Sequence, residues 1–436
     1  MLLGALSIAT ISTVKATTTP FSKHVVFIIM ENHRLSEITS SSALYMTDLA
    51  STYAKSTNYV GPVDSTWQPS LPNYIGLTSG STQGITNENG PSQNPVSAVN
   101  IIDRFSSSGV SYKFYMENMP SNCYVSDSYP YEVHHNPIPY YTDSAATSGC
   151  ASYDVPAGSN TVNCPQGAAN FADINTCDGG GTSTNGLIYD LNHTASTPSF
   201  MLLTPNMCND MHDCSVGTGN AYLSYLVPTI LTSKTFEQDH TATIIITFDE
   251  CSCGSSNYGT TPVYFVVAGP GAVRGHSSTN KYTHLNLLAT WENNWALQCM
   301  AGDCGPLNLM TEFFIPSFST STNPSSISIL CTVLGCSPAS TVNSNLTIIS
   351  VNQFSGLVNL SYIAPPNAPS GVYVTGQSSV NVPIQGTVVT ITAHGSGTTS
   401  GTFVWTIKGT ASVGGFSTNT TLTIHYTWCA HCVLPP

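Results

Sequence analysis

Charged residues are scarce in this chain of 436 residues, since Lys, Arg, Asp and Glu together make up 8% of it. Only 10 residues are Lys or Arg, against 23 that are Asp or Glu, which gives a formal net charge of −13. Binding to nucleic acid or to an anionic membrane needs clustered basic side chains, and this sequence has no such stripe. We therefore expect no nucleic-acid partner. Sparse charge also suits work in acid, because few unbalanced positive charges remain once the carboxylates are protonated.

Apolar runs of transmembrane length are also missing. The apolar segment at residues 2–11 is too short to span a bilayer and is followed by small residues near Ala16. It resembles the apolar core of a secretory signal, so we predict a signal-like segment over residues 1–16 and a secreted or cell-surface protein. The alternative is that this segment is the first strand or helix of the domain.

Cysteine, in contrast, is frequent, with 14 residues. Ten of them form near-neighbour pairs along the chain: Cys208 and Cys214, Cys251 and Cys253, Cys299 and Cys304, Cys331 and Cys336, Cys429 and Cys432. An even count in an exported chain indicates disulfides that staple local loops. A zinc cluster would need two Cys-x-x-Cys pairs, and only the last pair has that spacing. Four triplets also fit N-glycosylation, beginning at Asn192, Asn345, Asn359 and Asn419.

Polar residues follow two apolar runs, Val25–Met30 and Ile244–Phe248. Both runs are rich in β-branched residues and apolar on both faces, which indicates buried strands of a parallel sheet. The polar residues that follow are Glu31, Asn32, Asp249 and Glu250. The carboxyl ends of such strands face the crevice where open α/β sheets bind ligands, and oxygen ligands meeting there suit a divalent metal ion.

Ser70 lies between two prolines, Pro69 and Pro72, which favour a stiff turn leading into a helix that starts at Pro72. An ordinary turn or cap serine is the alternative. The two polar strand ends favour a metal-assisted nucleophile instead.

Six segments, in this order, resemble the phosphoesterase family, which contains acid phosphatases and bacterial phospholipases C and belongs to the alkaline phosphatase superfamily. They are Glu31–His33, Pro69–Tyr74, His135–Pro137, Asn209–Asp213, Thr247–Glu250 and Tyr282–His284. The resemblance covers residues 22 to 300 or so. It implies an α/β fold with an alkaline-phosphatase-like core, in which helices flank a central, mostly parallel sheet.

The resemblance also implies roles for ten residues. The implied catalytic residues are Ser70, His135 and His212; the substrate-binding residues are Asn73, Asp210 and His284; the metal ligands are Glu31, Asn32, Asp249 and Glu250. The metal is a divalent ion of open identity. Apart from the resemblance, the loop of Asp210 and His212 also fits a helix cap, and His284 precedes a predicted helix over residues 285–296.

The rest of the chain divides by composition. A long polar stretch between Cys123 and Cys177 is predicted to be a disulfide-tied loop rather than regular structure, and loops of this length are often functional, for instance as active-site covers. We predict a catalytic domain over residues 22–314, a linker over 315–339 and a β-sandwich over 340–436, because short β-branched runs recur there between Gly, Ser and Asn turns. The β-sandwich has no evident catalytic group, so we expect a spacer or a module that binds a cell surface or extracellular matrix.

These features together predict a secreted, metal-dependent acid phosphatase that acts on small phosphorylated substrates through a phosphorylated Ser70. Phospholipase C or another phosphodiesterase is the alternative enzyme. A sulfatase is disfavoured because Tyr74 stands where the Cys/Ser-x-Pro-x-Arg motif has arginine. A non-catalytic surface or adhesion protein is the alternative outside the enzymes.

Overall fold

The computed structural model describes residues 20–142, 149–158, 185–254, 256–300, 304–337, 340–412 and 417–431. The predicted signal-like segment lies outside these ranges, as does much of the stretch between Cys123 and Cys177. Within the described part of the chain, no helix combines the length and the hydropathy needed to cross a bilayer.

An eight-stranded sheet forms the centre of the N-terminal part. Its strands are β1 (Val25–Met30), β2 (Ala54–Ser56), β3 (Tyr112–Met116), β4 (Asp154–Pro156), β5 (Phe200–Thr204), β6 (Thr243–Phe248), β7 (Phe265–Ala268) and β8 (Ser277–Ser278). They lie side by side in the order β4-β3-β5-β1-β6-β7-β2-β8. The first five are mutually parallel, and β7 is antiparallel to β6. Every residue of β1, β5 and β6 is buried, which confirms the predicted mostly parallel α/β sheet.

The described helices accompany this sheet. They are α1 (Leu44–Thr52), α2 (Ser70–Ser79), α3 (Ile101–Ser108), α4 (Cys150–Tyr153), α5 (Leu187–Leu191), α6 (Val216–Leu231), α7 (Lys234–Gln238) and α8 (His284–Asn294). Single 3₁₀ turns lie at Leu35–Glu37, Ser65–Trp67, Val133–His135, Ile138–Tyr140 and Thr311–Phe313.

Helix α2 begins at Ser70, two residues before the predicted start at Pro72. Pro72 is the third residue, and the first turn has no intrahelical partner for its missing N–H, so the helix tolerates it. All ten residues of α2 are buried. A Cβ added to Gly76 would lie 2.2 Å from the ring of Trp67, so only glycine lets α2 pack this closely against that indole.

A β-sandwich follows, as predicted. Its strands are β9 (Ser317–Asn323), β10 (Ser326–Thr332), β11 (Gly335–Ser337), β12 (Thr341–Val351), β13 (Gly356–Ile363), β14 (Val372–Thr375), β15 (Ser379–Val382), β16 (Thr387–Gly395), β17 (Gly401–Ala411) and β18 (Ser417–Trp428). They form a six-stranded sheet, β11-β10-β18-β17-β13-β15, and a four-stranded sheet, β14-β16-β12-β9. The two sheets enclose one apolar core that includes Leu346, Ile391, Trp405 and Ile424.

The linker predicted over residues 315–339 is wrong, because three strands of the sandwich, β9, β10 and β11, lie there. Strand β9 pairs with β12, and β10 pairs with β18. The Ser-rich composition concealed an alternating pattern in which Ile327 and Ile329 are buried while Ser326 and Ser328 face solvent. Alternation of this kind is typical of a strand with one buried face.

Disulfides join four of the near-neighbour cysteine pairs, which confirms that prediction for Cys208–Cys214, Cys251–Cys253, Cys299–Cys304 and Cys331–Cys336. A fifth disulfide joins Cys123 to Cys150. Cys164, Cys177 and Cys432 lie outside the described residues.

Candidate active site

Two adjacent strands bring the first pair of predicted site residues together. Glu31 follows β1 and Asp249 follows β6, and the two strands pair in register up to Met30 and Phe248. The Asn32 amide donates to Oδ1 of Asp249 at 3.0 Å. Asn32 has φ 65°, a left-handed conformation that asparagine tolerates better than most residues. Glu31 and Asp249 are fully buried side by side at the carboxyl edge of the sheet.

Helix α2 delivers three side chains to these acids. Ser70 donates its hydroxyl hydrogen to Oε2 of Glu31 at 3.0 Å, and Tyr74 donates to Oε1 of the same carboxylate at 2.5 Å. Asn73 donates from Nδ2 to Oε2 of Glu250 at 3.0 Å. Positions i, i+3 and i+4 of a helix share one face, so the sequence spacing explains the convergence. Ser70 therefore lies at the start of a rigid helix with its hydroxyl directed at a buried carboxylate.

His135 lies on the other side of Glu31. Its Nε2 is 3.6 Å from Oε1 of Glu31, and its Nδ1 is 3.6 Å from Oδ2 of Asp210. Nε2 is buried and has no hydrogen-bond partner among the described residues. Burial lowers the pKa of His135 well below its usual value, and the neighbouring histidines lower that pKa further. The free protein therefore holds a neutral imidazole here.

The loop after β5 carries Asp210 and His212. Oδ1 of Asp210 accepts a hydrogen bond from the His212 amide at 2.7 Å, and the Asp210 carbonyl accepts one from the Glu31 amide at 2.9 Å. The Nδ1 of His212 contacts the Asp213 carboxylate at 2.8 Å. The His212 ring is partly exposed and its centre is 5.6 Å from that of His135. Asp210 thus shapes the loop, while His212 has access to the solvent side of the site.

Glu117 is a site residue that the sequence reasoning missed. It is buried directly after β3, and its Oε2 accepts hydrogen bonds from the Asn206 amide and from Nδ2 of Asn209, both at 2.9 Å. It thereby fixes the loop that carries Asp210. The available signal was the one used for Glu31 and Asp249, an acid immediately after a strand.

His284 does not reach toward a substrate as the resemblance implied. Its Nε2 donates to the backbone carbonyl of Asp249 at 2.7 Å, and its Nδ1 pairs with the Tyr59 hydroxyl at 2.8 Å. Burial lowers the pKa of His284 to about 4, which keeps the ring neutral. A Cβ on Gly61, which has φ +67°, would lie 2.9 Å from the same carbonyl. His284 therefore clamps the backbone of Asp249, and both of its ring nitrogens are engaged within the protein.

The phosphoesterase family model matches residues 35–298, more than half of the chain. The chain belongs to the phosphoesterase family. The chain is 28% identical over 249 residues to a phosphate-repressible acid phosphatase of Penicillium chrysogenum. The alignment covers 54% of this chain and 52% of that protein. It is 26% identical over 317 residues to an acid phosphatase of Aspergillus niger, and the alignment covers 69% of this chain and 68% of that protein.

Two further similarities lie at lower identity or in structure alone. A phosphatidylinositol-3-phosphatase of Mycobacterium tuberculosis is 25% identical over 284 residues, covering 65% of this chain and 80% of that protein. A structure of human ectonucleotide pyrophosphatase/phosphodiesterase 5 aligns with a TM-score of 0.41 and 11% identity, covering 66% of this chain and 97% of that one. The chain spans about half the length of the first curated relatives that it matches.

The charges at this phosphoesterase site fit a divalent cation. Burial raises the pKa of Glu31 well above its usual value, and the nearby charges of Asp249 and Asp210 add to that rise. Burial also raises the pKa of Asp249 to about 6, and burial together with Asp249 raises that of Glu250 to about 8. Among the described ion pairs, no Lys or Arg meets these acids. Among the described residues, no hydrogen-bond donor meets the buried Oδ2 of Asp249, and a carboxylate oxygen in that position suits a hard divalent cation.

Another group of possible cation ligands lies in the segment just before His135. One ligand atom each from Asp127, Glu132 and His134 lies within 4.8 Å of the others. Asp127 is exposed and the other two are half-buried, so water can satisfy them. The fully buried oxygens of Glu31 and Asp249 have the stronger requirement for a cation, because buried carboxylates lack that solvent.

A buried acid anchors the segment that carries His135. Nδ2 of Asn136 donates to the two carboxylate oxygens of Asp154 at 3.0 and 3.2 Å. Asp154 is fully buried, and burial raises its pKa to about 7 from 3.8. Because its pKa is raised, the folded protein retains a proton that the unfolded chain loses between these two values. The free energy of unfolding should therefore fall as pH rises from about 4 to about 7.

We expect Asp154→Asn to remove this fall in the free energy of unfolding between about pH 4 and about pH 7. At pH 7 the variant should be more stable than the wild type by on the order of 2 to 4 kcal/mol, and near pH 4 the two should be equal. Urea unfolding at both pH values measures the difference. Equal destabilisation of the variant at both pH values would mean that the carboxylate is charged and needed.

Proposed function

We propose that this protein is a secreted, metal-dependent acid phosphatase that hydrolyses phosphomonoesters through a phosphorylated Ser70. One observation carries the proposal: the Ser70 hydroxyl, at the start of α2, donates to the buried Glu31 carboxylate at 3.0 Å, beside an unpartnered oxygen of Asp249. A serine held against buried acids that fit a cation has the surroundings of an activated nucleophile. The acid phosphatases among its relatives support the choice of reaction, and the disulfides support export.

Ser70 would release its hydroxyl proton to solvent and attack phosphorus as the alkoxide, forming the Oγ–P bond as the bond from phosphorus to the leaving oxygen breaks. The proposed metal ligands are Glu31, Asn32, Asp249 and Glu250. When bound, the cation supplies positive charge that favours ionised Ser70 and stabilises the phosphoryl oxygens. His284 and the Asn32 amide hold Asp249 in place for this role.

The histidines and Asn73 would handle the substrate. His135, whose Nε2 is unpartnered, and Asn73, whose Oδ1 is unpartnered and whose Nδ2 keeps a second hydrogen, border the place of the phosphoryl group. His212 is partly exposed and oriented by Asp213, so it would protonate the leaving alkoxide. In the second step, water would attack the phosphoserine, with His212 accepting a proton, and release phosphate and free Ser70.

A monoester is the favoured substrate over a diester. One relative is named a phosphatidylinositol-3-phosphatase, and two further relatives are named acid phosphatases. Ser70 and His135 are both buried, which favours a substrate that presents a small terminal phosphoryl group. We further propose that the β-sandwich is a spacer or a module that binds a cell surface or extracellular matrix.

The pH profile tests the reaction class. We expect kcat/KM for p-nitrophenyl phosphate to peak below about pH 6, near the second phosphate pKa of roughly 6. The low pKa of the free His135 ring shifts its protonation further into acid, where the bound phosphate anion favours the charged imidazole. In His135→Ala the rise toward acid should therefore weaken.

The matched control for that variant is His193→Ala. His193 is exposed and its ring stacks on Tyr189, so its loss should leave the profile unchanged. Bis(p-nitrophenyl) phosphate, assayed in parallel, reports diesterase activity. An optimum above about pH 8, or faster cleavage of the diester, would overturn the acid-phosphatase proposal, because imidazolium is scarce at that pH.

A further inference from the structure

One oxygen of Glu31 lies within reach of two different donors. Oε1 accepts a hydrogen bond from the Tyr74 hydroxyl at 2.5 Å, and Nε2 of His135 lies 3.6 Å from the same atom. The other oxygen, Oε2, faces the Ser70 hydroxyl. The group that donates to Oε1 therefore determines whether Nε2 of His135 is free to contact another ligand.

Tyr74 is placed to hold both neighbours at once. It follows Ser70 by four residues on α2 and is buried. Its ring is stacked on the His135 ring, with centres 5.4 Å apart and an angle of 13° between the planes. The hydroxyl thus fixes Glu31 while the ring fixes the plane of the imidazole.

Loss of the hydroxyl would free Oε1 for His135. The separation of 3.6 Å exceeds a hydrogen bond by less than an ångström, since N–H···O bonds measure about 2.9 Å. A buried carboxylate oxygen without a partner is costly, so a small shift that lets Nε2–H donate to Oε1 would be favoured. The imidazole would then be withdrawn from any phosphate bound beside it.

We propose that Tyr74 is a positioning residue whose hydroxyl occupies Oε1 of Glu31, which keeps Nε2 of His135 free for phosphate and Oε2 free for Ser70 and the metal. This inference rests on the proposed function for the identity of the ligand, inorganic phosphate. It assigns to Tyr74 no contact with the phosphate itself.

Tyr74→Phe tests the proposal because it keeps the ring and its stacking and removes only the hydroxyl. Isothermal titration calorimetry of Mn²⁺ into metal-free protein, and of inorganic phosphate into Mn²⁺-loaded protein, measures the two affinities. We expect phosphate affinity to fall about tenfold and Mn²⁺ affinity by about 10- to 100-fold, as for partners that orient metal ligands elsewhere. Tyr141→Phe is the matched control, since Tyr141 is also buried and bonds to Thr78 of α2, away from Glu31.

The double variant distinguishes positioning from general damage. In a His135→Ala background, Tyr74→Phe should cause no further loss of phosphate affinity, because the group it protects is already gone. Unchanged phosphate affinity in Tyr74→Phe, or an additive loss in the double variant, would overturn the proposal.

A crystal structure of the wild-type protein with Mn²⁺ and phosphate gives a test that needs no variant. We expect Nε2 of His135 to contact a phosphate oxygen and the Tyr74 hydroxyl to donate to Oε1 of Glu31. An imidazole hydrogen-bonded to Glu31 instead would refute the proposal. This test holds even if Tyr74→Phe fails to fold. Failure of the proposed phosphatase function would give a different result from failure of the Tyr74 proposal. A wild-type protein that binds phosphate in this way without cleaving p-nitrophenyl phosphate would sink the phosphatase assignment and leave Tyr74 in its role.

Discussion

Replacing Ser70 by Ala is expected to lower kcat for p-nitrophenyl phosphate by about 10³-fold or more while the fold stays intact. The change deletes one oxygen, the atom that donates to Oε2 of Glu31. Alanine is at least as good a helix former as serine, so α2 should persist. The loss should fall on kcat, because the remaining side chains still bind phosphate.

The matched control is Ser79→Ala at the other end of the same helix. Ser79 is also buried, and its hydroxyl bonds only to backbone carbonyls and to the Gln83 side chain. Its loss should leave kcat within about twofold of the wild type, as for a change away from the reacting atoms. Acid quenching of the turning-over wild type, followed by mass spectrometry, should locate phosphate on the peptide of Ser70. A folded Ser70→Ala variant with normal turnover would remove Ser70 from the mechanism.

Asp249→Asn should lower both metal content and activity, by about 10²-fold or more in kcat/KM. The amide is close in size and still offers an oxygen to the Asn32 amide, but it lacks the negative charge at the buried, unpartnered Oδ2 position. Elemental analysis of the purified variant measures the metal independently of turnover.

Asp239→Asn controls for the loss of a carboxylate near the same strand. Asp239 precedes β6, at the opposite end from Asp249, and bonds to His24. This variant should keep its metal, even if it loses some stability with that ion pair. Full metal occupancy in Asp249→Asn would exclude Asp249 from the ligand set.

The sequence predicts the strand ends well because the cause is local. Runs that are apolar on both faces indicate buried parallel strands, and residues after neighbouring strands must share an edge, which brings Glu31 next to Asp249. The spacing of Ser70, Asn73 and Tyr74 similarly places them on one helical face. Periodicity and short spacing determine these placements without knowledge of the tertiary fold.

Contacts between distant segments could not be predicted in the same way. His284 pairs with Tyr59, 225 residues away, and no local pattern shows that this partner would take up the imidazole nitrogen. The low pKa of His135 likewise depends on burial by Tyr74 and on nearby histidines, which only the packed structure reveals. The strands at Ser317 and Ser326 were obscured for another reason, since serine-rich composition outweighed a short alternating pattern.

The disulfide between Cys123 and Cys150 gives the histidine side of the site a covalent link, whereas packing places the serine on the other side. It closes a loop that contains His135, and α4, which begins at Cys150, leads directly into β4 and Asp154, the partner of Asn136. The nucleophile side differs, because Ser70 is placed against Glu31 by the core packing of α2. Without this disulfide, the histidine segment would keep its hydrogen bonds and the core packing of Val133 and Ile138, and would lose its covalent link to α4. The link between the histidine segment and Asp154 is therefore covalent only where thiols are oxidised.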